Sequence, residues 1–215
     1  MGERTRVSCF VDGFNLYHAV AELGQSHLKW FDLRKLVETF LDPAKHELRS
    51  VFYFSAFATW LPGPYARHQQ YVEALKATGV TPVLGHFKAK SRTCKSCGAT
   101  WIAHEEKETD VNIALWLMNE AYKDNFDEAF VLSRDSDLTP AIKMILNEFP
   151  SKSIKVISPP NAGHSKEMAG LVGKKKLASV KIIHLERSLL PATVTDPDTG
   201  IVIARRPREY DPPPS

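Results

Sequence analysis

Short runs of apolar, β-prone residues alternate along this chain with segments of helical periodicity. Most of these runs are apolar at consecutive positions, which is typical of strands covered by helices on both faces. Strands that alternate with helices form mostly parallel sheets, in which successive strand and helix units wind the same way. The chain therefore predicts a three-layer α/β domain with a mostly parallel central sheet. The predicted strands lie at 7–11, 50–54, 80–84, 129–133 and 154–158.

Apolar residues at helical spacing connect these strands. The pattern predicts helices at 16–24, 32–42, 111–122 and 139–149, and a further helix that follows Pro64 and ends near Gly79. From residue 191 the composition shifts to proline, aspartate, threonine and arginine. We therefore expect one domain over residues 5–190, followed at 191–215 by a loosely attached hairpin and a disordered end.

Composition and charge exclude several classes of protein. The chain has 28 Lys+Arg against 25 Asp+Glu, and 43% of its residues are hydrophobic, as in ordinary globular domains. The apolar stretch at residues 51–61, which has no charge and no proline, is too short to span a bilayer, and the chain begins without the apolar region of a signal peptide. Three cysteines, an odd number, do not suggest a disulfide framework. We expect a cytoplasmic protein with no membrane partner.

Acidic residues follow two predicted strands and begin one predicted helix. Asp12 ends the first strand, Asp135 and Asp137 follow the strand at 129–133, and Asp110 begins the apolar helix at 111–122. Side chains at the carboxyl ends of parallel strands project into one crevice, which is the usual ligand site of such sheets. The sequence therefore predicts that three separate segments bring four carboxylates to one edge of the sheet.

Four carboxylates at one edge repel one another. They either raise each other's pKa or share hard cations such as Mg²⁺ or Mn²⁺. Beside a phosphodiester, such ions activate water, hold the phosphate and stabilise the leaving oxygen. Each acid also has an ordinary structural explanation as a turn residue, a helix-dipole partner or a helix cap. Separate structural roles do not predict that acidic residues occur at the ends of both strands and also at the start of the helix.

Three segments resemble the signature segments of the NYN domain family, in the LabA-like branch of the PIN-like ribonucleases. They are FVDGFNLY at 10–17, KETDV at 107–111 and SRDSDL at 133–138, and the resemblance covers roughly residues 5–185. It implies a PIN-like, Rossmann-like fold and a Mg²⁺- or Mn²⁺-dependent ribonuclease that acts on single-stranded or structured RNA. The resemblance also assigns the site residues: Asp12, Asp110, Asp135 and Asp137 as metal ligands, and Asn15 as the polar residue that orients a ligand or water.

One position departs from this family. Relatives often have glycine or alanine where this chain has Arg134. Such a substitution changes how closely the loop can approach a phosphate. Arg134 could itself contact that phosphate through its guanidinium group.

The segment at 86–106 carries a Cys-x-x-Cys pair and predicts a small hairpin inserted into the domain. Cys94, Cys97 and the glycine after them have the spacing of half a zinc knuckle, and His86 and His104 flank the pair as candidate third and fourth ligands of a structural Zn²⁺. The alternative is a pair of reduced cysteines in a hairpin, without metal.

The same insertion is locally basic. Lys88, Lys90 and Arg92 lie on its first half, and Trp101 lies on its second. Such a segment could bind the backbone of a single nucleic-acid strand while an aromatic ring stacks on a base. A charged hairpin in solvent is the alternative.

Two functions of different classes follow. The first is a metal-dependent ribonuclease; the second is a catalytically silent RNA-binding or regulatory module with the same fold. A nucleotide-cofactor enzyme is not supported, since the chain has neither G-x-G-x-x-G after the first strand nor a P-loop. A cognate inhibitor, as in a toxin–antitoxin pair, and a homo-oligomer are partners that the sequence leaves open.

Overall fold

The computed structural model describes residues 3–213 and has a seven-stranded sheet at its centre. The strand order is β4-β3-β2-β1-β5-β6-β7, and every neighbouring pair is parallel except β3 with β4. The predicted mostly parallel α/β sheet is confirmed. The strands are β1 (Thr5–Asp12), β2 (His46–Ala56), β3 (Val80–Thr93), β4 (Thr100–Lys107), β5 (Glu128–Leu132), β6 (Ser153–Ser158) and β7 (Leu177–Ser179).

Helices cover both faces of this sheet. Buried residues of α1, α2, α3 and α7 form one core layer with the sheet, and those of α4, α5 and α6 form the other. The helices are α1 (Gly13–Ala21), α2 (Leu33–Glu38), α3 (Pro62–Ala77), α4 (Thr109–Tyr122), α5 (Thr139–Glu148), α6 (Lys166–Val172) and α7 (Ile182–Arg187). None of the helices within residues 3–213 is long and apolar enough to cross a membrane.

Strand β1 lies at the centre of both layers. Its Val7, Cys9 and Val11 belong to the core layer of α1, whereas Phe10 belongs to the other layer and stacks on Phe52 of β2, with 5.2 Å between ring centroids. Because successive side chains of a strand point to opposite faces, a strand between two helical layers must be apolar at consecutive positions. This requirement explains the run at 7–11, which is apolar at every position except Ser8.

The chain changes direction across the sheet at β1. After β1 it builds β2 and β3 on one side, and it later places β5 on the other side. The ends of the two strands are in register, with Val11 paired to Leu132. A parallel sheet opens a crevice at the carboxyl ends of its strands where the connections diverge in this way. The residues that follow β1 and β5 therefore border one crevice.

Strands β3 and β4 extend beyond the rest of the sheet as a β-hairpin. Their pairing runs from His86 with Lys107 to Thr93 with Thr100, and most of the hairpin is exposed. The turn at its far end contains both Cys94 and Cys97.

The C-terminal segment is attached more firmly than its composition predicts. The expected hairpin is present as β8 (Thr193–Thr195) and β9 (Val202–Arg205). Val194, Ala204 and Tyr210 are buried against Trp30, whose indole N–H donates to the carbonyl of Pro191 at 2.8 Å. The described part of this segment thus packs some of its apolar side chains into a small cluster with Trp30, whereas Ile201 and Val202 are exposed. The last two residues, 214 and 215, lie outside the described range.

Candidate functional site

Asp12 is held in place at the junction of β1 and α1. It caps α1, since its Oδ1 accepts from the backbone N–H of Asn15 at 2.9 Å, and its Oδ2 accepts from the Ser133 hydroxyl at 2.9 Å. Only 4% of Asp12 is exposed. Gly13 follows because a Cβ there would lie 2.5 Å from the carbonyl oxygen of Phe54, so only glycine lets α1 start this close to β2.

Asp135 lies in the loop after β5. Its backbone N–H donates to the Ser133 hydroxyl at 3.0 Å, and its Oδ1 accepts from the backbone N–H of Asp137 at 2.9 Å, which caps the short 3₁₀ helix that starts at Ser136. The two aspartates that end β1 and follow β5 are therefore connected through a single serine.

Asp110 lies in the first turn of α4, directly after the hairpin. The residue before this helix, Glu108, has a left-handed backbone with φ of 79°, an unusual conformation for a residue with a side chain. Glu106 accepts from both the backbone N–H (3.0 Å) and the hydroxyl of Thr109. These bonds fix the start of α4 relative to the end of β4.

The structure brings three of the four predicted carboxylates together. Asp12, Asp110 and Asp135 each offer an oxygen, and the three oxygens all lie within 4.8 Å of one another. No lysine, arginine or histidine of the described residues forms a salt bridge with any of them. We call these three residues the acidic cluster.

Electrostatics in the acidic cluster oppose ionisation. Burial, followed by the negative charges of Asp135 and Asp12, raises the pKa of Asp110 to about 6. Burial also raises the pKa of Asp12, against the opposing effect of its hydrogen bonds. An all-oxygen donor set with uncompensated negative charge is suited to a hard divalent cation, and Mg²⁺ and Mn²⁺ are the ions that such ligands prefer.

Asp137 and Asn15 lie beside the acidic cluster but not in it. Asp137 is exposed, and its charge contributes to the raised pKa of Asp110. The side-chain oxygen of Asn15 accepts from the backbone N–H of Arg134 at 3.3 Å. Asn15 therefore joins the start of α1 to the loop after β5.

Glu106 is a member of the site that the sequence prediction missed. It borders the same cleft, and its charge raises the pKa of both Asp12 and Asp110. Its position three residues before Thr109 was the available signal, because a glutamate at that spacing can accept from the first N–H groups of a helix.

The acidic cluster lies in an open cleft of about 520 Å³. Aromatic rings border it on one side: Phe14 and Phe87 are 5.6 Å apart edge to face, and the ring of His104 stacks on Trp60 with 3.7 Å between centroids. The cleft thus combines a negatively charged centre with ring surfaces on which a base or another planar group could stack.

The predicted nucleic-acid-binding residues lie in two places. Arg134 is exposed and borders the cleft. Lys88, Lys90 and Arg92 are exposed on β3, and Arg92 forms an ion pair with Glu105 of β4. Part of the positive charge of the hairpin is therefore neutralised by the hairpin itself.

The predicted set of four zinc ligands does not form within the chain. His104 lies opposite Ala89 on the neighbouring strand, and Ala89 is five residues before Cys94. His86 lies opposite Lys107 at the base of the hairpin. At about 3.3 Å per residue, five residues place His104 roughly 17 Å from the cysteines, whereas the ligand atoms of one tetrahedral Zn²⁺ lie within about 4 Å of each other. His104 instead lines the cleft, and His86 lies 3.3 Å from Glu108.

A second cavity, of about 430 Å³, adjoins the cleft and shares Phe14, His18 and Phe87 with it. We call it the aromatic cavity, because the rings of Tyr53, Tyr71 and Tyr210 also line it. The side chains of Lys29, Arg67 and His68 provide its polar and basic groups.

His68 contributes a neutral ring to the aromatic cavity. Its Nε2 lies 3.3 Å from the hydroxyl of Tyr53 and 3.5 Å from that of Ser55. Burial lowers the pKa of His68 to about 4. This part of the cavity therefore carries no charge at neutral pH.

Two proteins are similar to most of this chain. The 6-hydroxy-3-succinoylpyridine 3-monooxygenase HspA of Pseudomonas putida is 25% identical, over 66% of this chain and 55% of its own length. The chain thus spans about half the length of this curated relative. A crystal structure of a protein of unknown function from Vibrio parahaemolyticus superposes with a TM-score of 0.59 at 18% identity, over 88% of this chain and 100% of that one. This likeness supports the fold.

The family model of the NYN domain matches residues 6–169. The matched range begins in β1, ends in α6 and contains the whole acidic cluster together with the hairpin. Because the match covers well over half of the chain, this protein belongs to the NYN domain family.

Proposed function

We propose that this protein is a metal-dependent ribonuclease that hydrolyses phosphodiester bonds at the acidic cluster. The observation that carries the proposal is the convergence of Asp12, Asp110 and Asp135 from three separate segments to within 4.8 Å. Membership of the NYN family supports it, because that family belongs to a nuclease superfamily whose members generally use divalent metals and bind RNA.

The residues of the acidic cluster fit Mg²⁺ or Mn²⁺. Their ligand atoms are carboxylate oxygens, and the raised pKa of Asp110 reflects burial and then the negative charges of its neighbours. Such an ion supplies Lewis-acid activation of water and of the phosphodiester. Asp137 would join as a fourth, more exposed acidic residue near the same ion.

The other residues of the site position the acids and the substrate. Ser133 and the N–H of Asn15 keep Asp12 oriented, with both carboxylate oxygens hydrogen-bonded. Arg134, exposed at the rim, binds a phosphate of the RNA backbone, and Lys88 and Lys90 bind phosphates further along the hairpin.

The aromatic surfaces favour single-stranded RNA or unpaired regions of a folded RNA. Phe14 and Phe87 line both the cleft and the aromatic cavity, so a nucleotide whose phosphate lies at the acidic cluster can place its base against them. A base within a duplex is stacked on its neighbours and presents no free face to such rings.

Cleavage of a labelled single-stranded RNA tests the proposal. Purified protein is incubated with the RNA in Mn²⁺, in Mg²⁺ and in EDTA, and a duplex of the same sequence serves as the matched substrate. We expect products only with metal, and fewer products from the duplex. Salt-sensitive RNA binding without products in any condition would contradict the ribonuclease and favour a silent RNA-binding module.

A second candidate function is suggested by the aromatic cavity together with the named activity of the Pseudomonas relative. That protein is named for a reaction on a succinoylpyridine, and a cavity of about 430 Å³ can hold one such ring. The candidate is a reaction of a small heteroaromatic compound. An increase in Tm with 6-hydroxy-3-succinoylpyridine, without RNA cleavage, would favour it over the ribonuclease.

The cellular setting of a ribonuclease follows from its chemistry. An active ribonuclease acts on RNA in the cytoplasm, which is the location that we propose. Its activity would have to be inhibited there, so we propose a cognate inhibitor as a partner. Co-purification with the protein expressed from its own chromosomal context, followed by mass spectrometry, tests for this partner.

A further inference from the structure

The turn at the end of the β3–β4 hairpin holds its two cysteines in a defined geometry. The backbone N–H of Cys94 donates to the carbonyl of Ala99 at 2.8 Å, and that of Gly98 donates to the carbonyl of Cys94 at 3.0 Å. Gly98 has a left-handed backbone with φ of 71°, which glycine adopts without strain. The turn is therefore closed by two backbone hydrogen bonds, with Cys97 exposed and Cys94 half-buried.

The sulfur of Cys94 has a hydrogen-bond partner within the turn, since the Ser96 hydroxyl lies 3.3 Å from it. Hydrogen-bond donors favour the thiolate over the thiol, and the thiolate is the form that binds metal. Cys94 and Cys97 are separated by two residues, which is the spacing of cysteine pairs that bind one Zn²⁺.

Packing does not explain these two cysteines. Cys9 is fully buried in β1 and acts as a small core residue, whereas Cys97 is exposed and Cys94 is half-buried at the end of the hairpin. A pair of thiols at the exposed end of a hairpin does not stabilise an apolar core. The pair therefore resembles one half of a structural zinc site.

The chain does not supply the other half. A structural Zn²⁺ takes four ligands, and among residues 3–213 only the acidic cluster groups three or more potential ligands. The flanking histidines lie too far along the hairpin, as described above. The two missing ligands must therefore come from another molecule.

The surface beside the turn suits a second copy of the same hairpin. Trp101 is 52% exposed and Ile102 is 60% exposed on the two opposite faces of β4, which is the edge strand of the sheet. Large apolar side chains on an open edge strand favour contact with another protein surface. Four thiolates around Zn²⁺ carry a net charge of −2, and Lys95, between the cysteines, brings one positive charge from each copy.

We propose that Cys94 and Cys97 of two copies of this chain together hold one Zn²⁺ through four sulfur ligands and so join the two hairpins. The arrangement is symmetric, because each copy contributes the same pair of ligands. It does not depend on the ribonuclease activity, since the cysteines lie outside the cleft. The partner in this site is this chain itself.

Zinc content and molecular mass, measured on the full chain purified under reducing conditions, test the proposal. We expect about 0.5 Zn²⁺ per chain by elemental analysis and a dimer, about twice 24.1 kDa, by light scattering. Cys97→Ser should lose both the zinc and the dimer. Cys9→Ala, which removes the remaining cysteine, should keep both. Replacement by Co²⁺ should give the ligand-field bands of a tetrahedral thiolate site.

Four results would overturn the proposal. They are a monomer without zinc, one full zinc ion on each monomer, a dimer that persists unchanged in Cys97→Ser, and a Cys94–Cys97 disulfide detected by mass under the same reducing conditions. Circular dichroism of Cys97→Ser separates loss of the site from loss of the fold, because the variant should keep the wild-type spectrum.

Discussion

The hydroxyl of Ser133 donates a hydrogen bond to Asp12 at 2.9 Å, across 121 residues of sequence. The same hydroxyl oxygen accepts from the backbone N–H of Asp135 at 3.0 Å. One side chain thus sets the positions of two members of the acidic cluster. Loss of a partner that orients a metal ligand typically lowers metal affinity by about 10- to 100-fold.

Ser133→Ala should weaken binding of Mn²⁺ by about 10- to 100-fold, because Asp12 and the loop after β5 lose their shared partner. Isothermal titration with Mn²⁺ measures the change. Ser136→Ala is the matched control, since Ser136 lies exposed in the same loop and should bind Mn²⁺ as the wild type does. Equal affinities for the wild type and Ser133→Ala would contradict the orienting role.

Asp110→Asn should reduce RNA cleavage by more than about 100-fold, because loss of a metal ligand should exceed the 10- to 100-fold effect of losing an outer partner. Its Tm should not fall, since the substitution removes a charge that its neighbours oppose. Cleavage rates in Mn²⁺ and thermal unfolding are the measurements.

Asp137→Asn is the companion to that variant. Asp137 is exposed and lies outside the group of three, so its replacement should lower the rate less than Asp110→Asn does. An equal loss in the two variants would make Asp137 a full metal ligand. Full RNA cleavage by Asp110→Asn would contradict the proposed ribonuclease function.

The stability of the fold should fall in acid because of His68. Burial lowers the pKa of His68 to about 4 from an ordinary value of 6.5. Between these pH values the unfolded chain binds a proton that the folded chain does not, so the contribution is complete above about pH 6.5 and is lost as the pH falls toward 4. The full loss is about 3 kcal/mol.

Urea unfolding of the wild type and His68→Phe, at about pH 7 and about pH 4.5, isolates this contribution. Phenylalanine keeps the ring beside Phe57 and removes the titrating group. Between these two pH values the wild type should lose more unfolding free energy than His68→Phe does. A difference that is the same at both pH values would show that His68 titrates equally in the folded and unfolded states.

Blocking the aromatic cavity should weaken RNA binding. Ala58 lines this cavity, whereas its neighbour Thr59 is exposed and does not. Ala58→Trp should reduce the affinity for a single-stranded RNA by about 10-fold, since stacking of one base contributes about 1–3 kcal/mol. Thr59→Trp should leave it unchanged.

Fluorescence of 2-aminopurine reports the same event directly. The fluorescence of an RNA that contains this base should be quenched when the RNA binds to the wild type. The quenching should be weaker when it binds to Ala58→Trp. The free riboside, tested in parallel, separates recognition of the base alone from recognition of the strand. Equal quenching of the RNA by both proteins would place its base outside the aromatic cavity.

The C-terminal hairpin should contribute to global stability. Val194 is buried against Trp30, and the next residue, Thr195, is exposed. Val194→Asp should lower the free energy of unfolding by about 3 kcal/mol, because it places a charge in an apolar contact. Thr195→Asp should change it by less than about 0.5 kcal/mol. Equal effects would indicate a loosely attached hairpin after all.

The apolar runs predicted the central sheet because their cause is local. A strand between two helical layers must be apolar at consecutive positions, and residues 7–11 and 129–132 meet that requirement without reference to anything distant. The placement of Asp12 and Asp135 followed from the same strands, because Asp12 ends one strand and Asp135 lies in the loop after another. The role of Asp137 as a ligand stays a prediction.

The errors concern contacts between distant segments. The histidines at 86 and 104 appeared close to Cys94 in sequence, but an extended hairpin separates residues by about 3.3 Å each. The polar segment after residue 191 suggested a loose end, yet Val194, Ala204 and Tyr210 are buried in one cluster with Trp30. Composition cannot reveal such a contact, since the ring that it covers lies more than 160 residues away.

The sequence by itself determined the α/β sheet and the strand ends at which acidic residues lie, because hydrophobic periodicity acts within single elements. The tertiary structure alone decided that Ser133 connects Asp12 to Asp135, that Glu106 joins the cleft, and that the cysteine pair lacks partners within residues 3–213. These relationships depend on distances between atoms that strand order and hairpin geometry bring together or hold apart, and no local pattern encodes such distances.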